Sequence, residues 1–509
     1  MGALPAPRCR TGQGHGLVGE KYGVAQNLRK GRSLASLAQS EVIMSQATVF
    51  NNPSYYGFSN NTIFDVFNYL HPLITFLLTP AGLAGFIVFA GLMVYGWQGR
   101  YGRELLLFMA VLTGMVGYYI SPYWDNTLIG PLESFRAMCK PLFVIAVVVL
   151  ALKYLVSSSS MRAVPARNAA VAYLVLLAAY ALRIGFAAPQ RAVGGAVMAL
   201  LLFLAIVQFV RRSVTTGGEL AALLSAFLLA GLAFYLLSAV QLVLGAPDSI
   251  VFVGRFCGLA DNPQNIAENT ACMLLMANYL VLSGYSARWQ KALGAVSMFV
   301  MFPFLLWTGS RTGVGMVVVG LVVMNGARIR RWVAVCVGVL AGWELYSHLF
   351  RGVAAAGGHL TSTLNDRSGP WIRGWDAFVA HPLFGQVSVN ILVENSFISV
   401  AMGLGVLGLI ILLILANAQI QDMATVFRWR LRVDSESRKI CDFALALASA
   451  LTAGMFFDAY LLAVATTQAL FVGVAIALTA IAVDLVYAQR PVAQSGLEIS
   501  GNSEVQYGA

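Results

Sequence analysis

Long apolar runs alternate with short polar breaks from about residue 62 to residue 487. Most runs approach the roughly 20 residues that an α-helix needs to cross the hydrocarbon of a bilayer. The breaks lack the alternation of apolar and polar residues that marks a membrane β-barrel, so the pattern predicts an all-α fold. The first two runs are short and close together and could form one hairpin or one kinked helix, so we expect about 12 to 14 transmembrane helices. The predicted spans are about 62–78, 83–97, 104–121, 138–156, 168–187, 192–210, 219–245, 266–284, 289–308, 311–326, 331–347, 394–417, 440–457 and 460–487.

The composition supports a membrane protein and excludes a soluble one. Hydrophobic residues make up 59% of the 509 residues and charged residues only 11%, and the mean hydropathy is +0.75. The net charge of +11 is carried largely by short clusters in alternate breaks, which is typical of membrane topology rather than of a nucleic-acid surface. We therefore expect a bilayer and no nucleic acid as partner. The breaks predicted to be cytoplasmic contain Arg100/Arg103, Arg162/Arg167, Arg211/Arg212, Arg288/Lys291, Arg328/Arg330/Arg331 and Arg428/Arg430/Arg432/Arg438/Lys439.

The polar ends of the chain frame one predicted membrane domain, residues 61–488. Residues 1–60 are basic and Gly-rich and lack the apolar core of a signal peptide, so they predict a disordered cytoplasmic arm. Within this arm, residues 1–43 could also precede the true start of translation at Met44. Residues 489–509 are predicted to form a cytoplasmic tail.

Two longer breaks fall on the opposite, extracytoplasmic side, at about 246–266 and 348–393. The second is the one large extracytoplasmic loop that we expect. Long loops inside a compact protein tend to carry function, which makes these two loops and the neighbouring helix ends the place to search for chemistry.

Arg255, Arg311, Arg367 and Arg373 lie on the side that should be poor in arginine. A guanidinium group stays charged at any working pH and can bind two phosphate oxygens at once. Several of them around one cavity would bind a diphosphate and stabilise its charge as it leaves. The alternative is that each arginine pairs with a lipid headgroup or a loop carboxylate.

Glu394 stands at the predicted start of a late membrane helix, next to Asn395. A carboxylate there could cap the helix, bind an ion in a transporter, or act as the general base that deprotonates an incoming hydroxyl. Asn395 could orient the base or a sugar. Gly403, Gly405 and Gly408 follow, and small residues of this kind let another helix or a lipid tail approach closely.

Other polar residues give weaker signals. Asp458 and Glu268 fit caps or ion-pair partners, and His381 fits a structural loop residue. The six cysteines are scattered, with neither CxxC nor Cys/His spacing suited to zinc. The sequence contains no DxD, Walker A or dinucleotide-binding fingerprint, so we expect no metal and no cofactor.

Four segments together resemble the bacterial O-antigen ligase and O-antigen polymerase superfamily. They are "GRFCGLADNPQN", "GSRTGVG", "RGWDAFVAHPLFGQ" and "ENSFISVAMGLGVLG", and they follow one another between about residues 250 and 415. The resemblance implies metal-independent, inverting glycosyl transfer on the extracytoplasmic face, with a glycan on undecaprenyl diphosphate as donor. The helices before residue 250 match only as generic membrane helices.

The resemblance also implies roles for particular residues. Arg311 matches the arginine of the family's SR[ST]G-like motif, Arg255 matches an arginine of the earlier loop, and Glu394 takes the place where ligases usually carry a histidine followed by asparagine. These three are the expected catalytic residues. The family often has an arginine four residues before the loop tryptophan, but Trp371 occupies that position here. Substrate binding is therefore assigned to Arg373 or Arg367, together with Asn395 and Asn262.

Three functions stay open from the sequence. The first is a polymerase of lipid-linked exopolysaccharide or O-antigen units, and the second is a ligase that transfers finished glycan to lipid A-core. The third is a polysaccharide transporter or flippase, which would place charged residues near the bilayer midplane in two matching halves. The enzyme readings imply a bacterial inner-membrane location, a glycan or lipid acceptor, and other polysaccharide-export proteins as partners.

Overall fold

Helices account for nearly all of the regular structure in a computed structural model that describes eleven stretches of the chain. The described residues are 80–98, 101–116, 128–157, 167–186, 189–245, 250–252, 254–260, 262–326, 368–386, 393–462 and 466–489. All of them belong to one unit, residues 58–509. The helices are α1 Pro80–Gln98, α2 Gly102–Val116, α3 Gly130–Ser157, α4 Asn168–Gly185, α5 Pro189–Leu202, α6 Phe209–Ser213, α7 Gly217–Leu244, α8 Pro263–Leu282, α9 Arg288–Trp307, α10 Arg311–Asn325, α11 Ser368–Ala380, α12 Ser396–Trp429, α13 Ser435–Met455 and α14 Thr467–Ala488.

The prediction of an all-α protein with several possible membrane spans is confirmed. Within the described ranges, six helices are long and apolar enough to cross a bilayer, or seven if the bent α3 counts as one span. The six are Asn168–Gly185, Val193–Ser213, Gly217–Leu244, Arg288–Trp307, Ser396–Trp429 and Thr467–Ala488. The predicted spans 62–78 and 331–347, the N-terminal arm and nearly all of the C-terminal tail lie outside the described residues, as does most of the large loop.

The helix α3 and the span Val193–Ser213 depart from regular α-helical geometry. In α3 the axis bends by 44° between Arg136 and Met138. Pro141 explains the bend because it cannot donate a hydrogen bond to the carbonyl four residues earlier. A π-helical turn, Phe203–Gln208, joins α5 to α6, so that Val193–Ser213 forms one continuous candidate span.

The helix α8 lies at the centre of the bundle. Every residue from Pro263 to Leu280 is buried, and α8 packs against α9, α10 and α13 as well as α7 and α14. A helix that is buried on all sides needs no polar face, which explains its weak amphipathic pattern. Because neighbouring helices surround α8, they hold its first turn in place at one end of the bundle.

The loop before α8 contains a small hairpin. Strand β1 (Val251–Phe252) pairs antiparallel with β2 (Arg255–Phe256), and Gly254 in the turn has a positive φ of 75°. The Phe256 ring is buried and packs against Phe304 of α9, with 4.6 Å between the ring centroids and 43° between the ring planes. This anchoring of the hairpin on α9 fixes the position of Arg255.

The longest helix, α12, is broken at Gly405, whose φ of 66° and ψ of −153° lie outside helical space. The turn 382–386 of the preceding loop fills the break. Val406 N–H donates to Pro382 O at 2.7 Å, and Gln386 N–H donates to Met402 O at 2.6 Å. These two bonds replace the helical bond between Val406 and Met402, so the backbone groups stay satisfied at the break. We call this arrangement the 382–386 clamp.

The clamp has a third component on α4. Arg183 donates from Nε to Phe384 O at 3.0 Å and from Nη2 to Gly385 O at 2.9 Å. Gly385 also has a positive φ, 64°, and it faces Gly405 so closely that a Cβ atom at Gly405 would lie 2.6 Å from Gly385 N. The clamp thus divides α12 into an outer segment, 396–404, and a 24-residue segment, 406–429, long enough to span about 36 Å.

Candidate functional site

The residues predicted to act lie at one end of the bundle. At this end α7, α9 and α13 finish and α8, α10, α12 and α14 begin. The positive-inside pattern predicts that it faces away from the cytoplasm. We call it the outer end.

Arg255 binds the turn between α9 and α10, and Arg311 directly follows that turn. Arg255 donates from Nε to Thr308 O at 2.6 Å, three residues before Arg311. Arg311 is exposed and is the first residue of α10, where Ser310 caps the helix by accepting from Gly313 N–H. The dipole of α10 places partial positive charge beside the Arg311 guanidinium, so this turn favours an anion.

Glu394 lies directly before the cap of α12. Asn395 is the cap, and its Oδ1 accepts from Phe397 N–H at 2.9 Å and from Ile398 N–H at 3.0 Å. Its Nδ2 donates to Phe456 O at 2.8 Å. The Asn395 amide therefore joins the start of α12 to the end of α13. Nothing in these contacts tests whether Asn395 also binds substrate, so that role stays a prediction.

The helix α11 fixes the backbone of Glu394 from the loop side. Trp371 donates from Nε1 to Glu394 O at 3.0 Å, and the Glu394 side chain is half-buried. Gly374 makes the close approach possible, because a Cβ atom there would lie 2.6 Å from Val393 Cγ2. Arg373, adjacent to Gly374, is exposed on the same helix, so the structure brings Arg373 into the neighbourhood of Glu394.

A short loop after α13, residues 456–461, connects the starts of α8 and α12. Ser396 donates from Oγ to Asp458 O at 2.7 Å, and Gln264 donates from Nε2 to Phe457 O at 3.1 Å. Asn262 caps α8 by accepting from Gln264 N–H at 2.8 Å. The predicted site residues Asn262 and Asn395 are thereby tied to the same loop from two sides.

A buried tyrosine within this loop attaches the loop to α13. Tyr460 donates its hydroxyl proton to Leu451 O. Burial raises the pKa of Tyr460 well above its ordinary value, and Glu268, Cys272 and Asp458 raise this pKa further. Tyr460 therefore stays neutral and acts as a hydrogen-bond donor rather than as a base.

The start of α10 packs directly on α8, which links the arginine pair to the rest of the site. A Cβ atom at Gly313 would lie 2.7 Å from Ala267 Cβ, so the first turn of α10 lies against the second turn of α8. Side-chain hydrogen bonds and helix packing therefore connect the turn before Arg311 to the first turns of α8, to the loop 456–461 and to the start of α12 beside Glu394. Arg367 lies outside the described residues.

Sequence reasoning missed two features that position these residues. The loop 456–461 gave only the weak signal of Asp458 in a tight turn, and nothing indicated that it would join α8 to α12. The role of Arg183 in the clamp was also missed, although Gly405 had been recognised as a point of close approach. The element that lies against Gly405 is the turn 382–386 and not another helix or a lipid tail.

No protein-family model matches this chain, and no curated protein is similar to it at a significant level. In the ranges that the structure describes, no three His, Cys, Asp or Glu side chains gather where they could hold a metal ion. Any function must therefore be argued from the outer end itself and from the resemblance of its motifs.

Proposed function

We propose that this chain is a membrane glycosyltransferase of the O-antigen ligase and polymerase type. It would transfer or polymerise glycan from an undecaprenyl-diphosphate donor on the extracytoplasmic face of a bacterial inner membrane. The proposal includes about 12 to 14 transmembrane helices with one large extracytoplasmic loop, of which α11 is part. Its expected partners are the lipid-linked donor, a glycan or lipid acceptor, and other polysaccharide-export proteins.

The observation that supports the proposal is that one end of the bundle carries basic and acidic residues from distant parts of the sequence. The hairpin arginine binds the turn that precedes the α10 arginine, and side-chain hydrogen bonds through α8 and the loop 456–461 link that turn to Asn395, next to Glu394. A transferase of this kind needs both a cationic site for a diphosphate and a base for a hydroxyl. The outer end supplies both types of group.

The proposed reaction is a direct displacement at the anomeric carbon of the donor sugar. The Glu394 carboxylate takes the proton of the acceptor hydroxyl while that oxygen forms the new glycosidic bond. The bond between the anomeric carbon and the diphosphate oxygen breaks, and undecaprenyl diphosphate leaves with the electron pair. Arg255 and Arg311 stabilise the charge that develops on this leaving group, and Arg373 or Arg367 contacts the diphosphate or the glycan.

The proposal predicts that the purified full chain acts without nucleotide or added metal. Nanodiscs containing the protein would receive an undecaprenyl-diphosphate glycan in the presence of EDTA. Release of undecaprenyl diphosphate, together with a longer or transferred glycan, is the expected result. Absence of release under every acceptor tested, or a strict requirement for a nucleotide sugar, would overturn the proposal.

Glu394→Gln tests the base directly because it keeps the size and polarity of the side chain. We expect its turnover to fall at least about 100-fold, the usual contribution of a general base, with donor binding unchanged. Glu133→Gln is the matched control, since Glu133 is an exposed acid in the first turn of α3. Wild-type turnover by Glu394→Gln would eliminate Glu394 as the base.

A further inference from the structure

A polar cavity of about 360 Å³ lies at the opposite end of the bundle from the proposed transferase site. It lies between the start of α4, the helix α6 and the last turns of α12 and α14. These helix ends belong to the side predicted to be cytoplasmic. Its charged and polar walls are formed by Arg167, Asn168, Arg211, Gln421, Asp422 and Asp484.

Two arginines and two aspartates supply the charges in the cavity. Asp484 accepts from Arg167 Nη2 at 2.5 Å and from Arg211 Nη2 at 2.8 Å. Two guanidinium groups around one carboxylate leave a net charge of +1 there, and Asp422 adds a carboxylate to the same wall. The Arg211 side chain is only 3% exposed, so at least one of the cations is held rigidly within the protein.

Apolar stripes on two of the surrounding helices lead from the cavity toward the middle of the bundle. On α4, Val171 and Val175 follow Arg167 at helical spacing and are 45% and 46% exposed. On α12, Ile414 and Ile410 continue the face of Ala418 and are 56% and 49% exposed. Each stripe reaches about 12 Å or more above the charged residues, which is the direction that acyl chains would take from a headgroup at this level.

We propose that this cavity binds the headgroup of a phospholipid that carries both a phosphate and a primary ammonium group. The phosphate would contact the guanidinium groups of Arg167 and Arg211, because planar guanidinium groups match phosphate oxygens. The ammonium would donate to Asp422, and the acyl chains would lie along the stripes on α4 and α12. The volume falls in the range of about 300 to 1,000 Å³ that is usual for small-molecule sites.

The charge arrangement selects this headgroup over others. A choline headgroup has the same charges but no N–H to donate, and a glycerol headgroup has a phosphate but no cation. The choline headgroup cannot donate to the carboxylate, and the glycerol headgroup can donate only from neutral hydroxyls. Neither gains a bond between an ammonium and a carboxylate, and such charge-assisted bonds usually change affinity by about tenfold or more. The inference does not depend on the proposed glycosyl transfer, so either can fail alone.

Native mass spectrometry of the full chain after extraction into detergent can measure the preference. The protein would be exchanged against equal amounts of phosphatidylethanolamine, phosphatidylcholine and phosphatidylglycerol with the same acyl chains. We expect the wild-type protein to retain the ethanolamine lipid about tenfold over the choline lipid. An excess of soluble glycerophosphoethanolamine should fail to displace the lipid, whereas displacement would identify the free headgroup as the ligand.

Variants of the two charge groups separate a lipid site from a purely structural ion network. Asp422→Asn should abolish the preference for ethanolamine over choline by lowering retention of the ethanolamine lipid to that of the choline lipid. Arg211→Gln should lower retention of all three lipids. If its burial prevents folding, Asp422→Asn still decides the question. The matched control is Asp442→Asn, whose carboxylate pairs with Arg430 at 2.9 Å elsewhere on the same side.

Equal retention of the three lipids by the wild-type protein would overturn the proposal. So would an ethanolamine preference that persists in Asp422→Asn, or one that Asp442→Asn removes equally well. In any of these cases the cavity residues would serve only to join α4, α6, α12 and α14.

Discussion

Replacing Gly405 with alanine should destabilise the protein through the 382–386 clamp. The backbone conformation at Gly405, with φ of 66° and ψ of −153°, belongs to a region that is essentially restricted to glycine. For a residue with a side chain, such a conformation costs of order 1 to 3 kcal/mol. A new Cβ atom would also lie 2.5 Å from both Leu383 O and Pro382 O, and backbone atoms cannot move aside as a side chain can.

The clash should open the clamp and break its backbone hydrogen bonds. The two bonds, from Val406 to Pro382 and from Gln386 to Met402, are worth about 0.5 to 1.5 kcal/mol each. Together with the backbone strain, we expect a loss of about 2 to 6 kcal/mol in the free energy of unfolding. Gly315→Ala is the control, because nothing lies within 4 Å of a Cβ at this helical glycine of α10.

Thermal unfolding in detergent, followed by the exposure of buried cysteines to a thiol-reactive dye, would measure the difference. The dye can report on unfolding because Cys139, Cys257, Cys272 and Cys441 are all buried. Gly405→Ala should unfold at a clearly lower temperature than the wild-type protein, and Gly315→Ala should match or exceed the wild-type protein, since alanine favours helix. Equal unfolding temperatures for both variants would refute the account of the clamp.

Three further predictions concern other contacts. Arg183→Gln should lower the free energy of unfolding by about 1 to 3 kcal/mol, which chemical denaturation would detect, and a stable variant would show that the guanidinium contributes little. Trp371→Phe should reduce glycan transfer more than it reduces the unfolding temperature, because it frees the Glu394 backbone while keeping an aromatic ring; proportional losses would contradict this. Hydrogen bonds from the Ser437 backbone and side chain lower the pKa of Asp434 to about 2. The stabilisation by this helix cap is thus complete above about pH 4 and disappears toward pH 2. Asp434→Ala should cost about 1 kcal/mol at pH 7, and a difference from the wild-type protein that persists unchanged at pH 2 would contradict the assignment.

Helix positions followed well from the apolar pattern, because the length of a membrane helix and the solvation of its ends are set locally. The boundaries were less accurate for α12 and α14. The pattern ended the first at residue 417 and began the second at residue 460, whereas the helices are Ser396–Trp429 and Thr467–Ala488. In α12, polar residues such as Gln419 and Asp422 continue the helix because they face neighbouring helices, and hydropathy alone cannot register this.

The contacts at the outer end could not be predicted from the sequence in the same way. Glu394 and Arg311 were found as unusual charges, but their proximity to a common set of helix ends depends on which helices pack together. Backbone carbonyls, such as those of Thr308 and Phe456, make many of the connections. Every residue has a carbonyl, so no side-chain pattern in the sequence indicates which ones will accept.

The break in α12 has a consequence for how the protein responds to bilayer thickness. Membrane helices adjust their tilt to the thickness of the hydrocarbon core, so we expect the tilt of the segment 406–429 to change from one membrane to another. In an uninterrupted helix, a change in tilt would also move its first residue. At Gly405 the backbone hydrogen bonds go to the turn 382–386 instead of along the helix. A change in bilayer thickness can therefore reorient the segment 406–429 while Glu394 keeps its position.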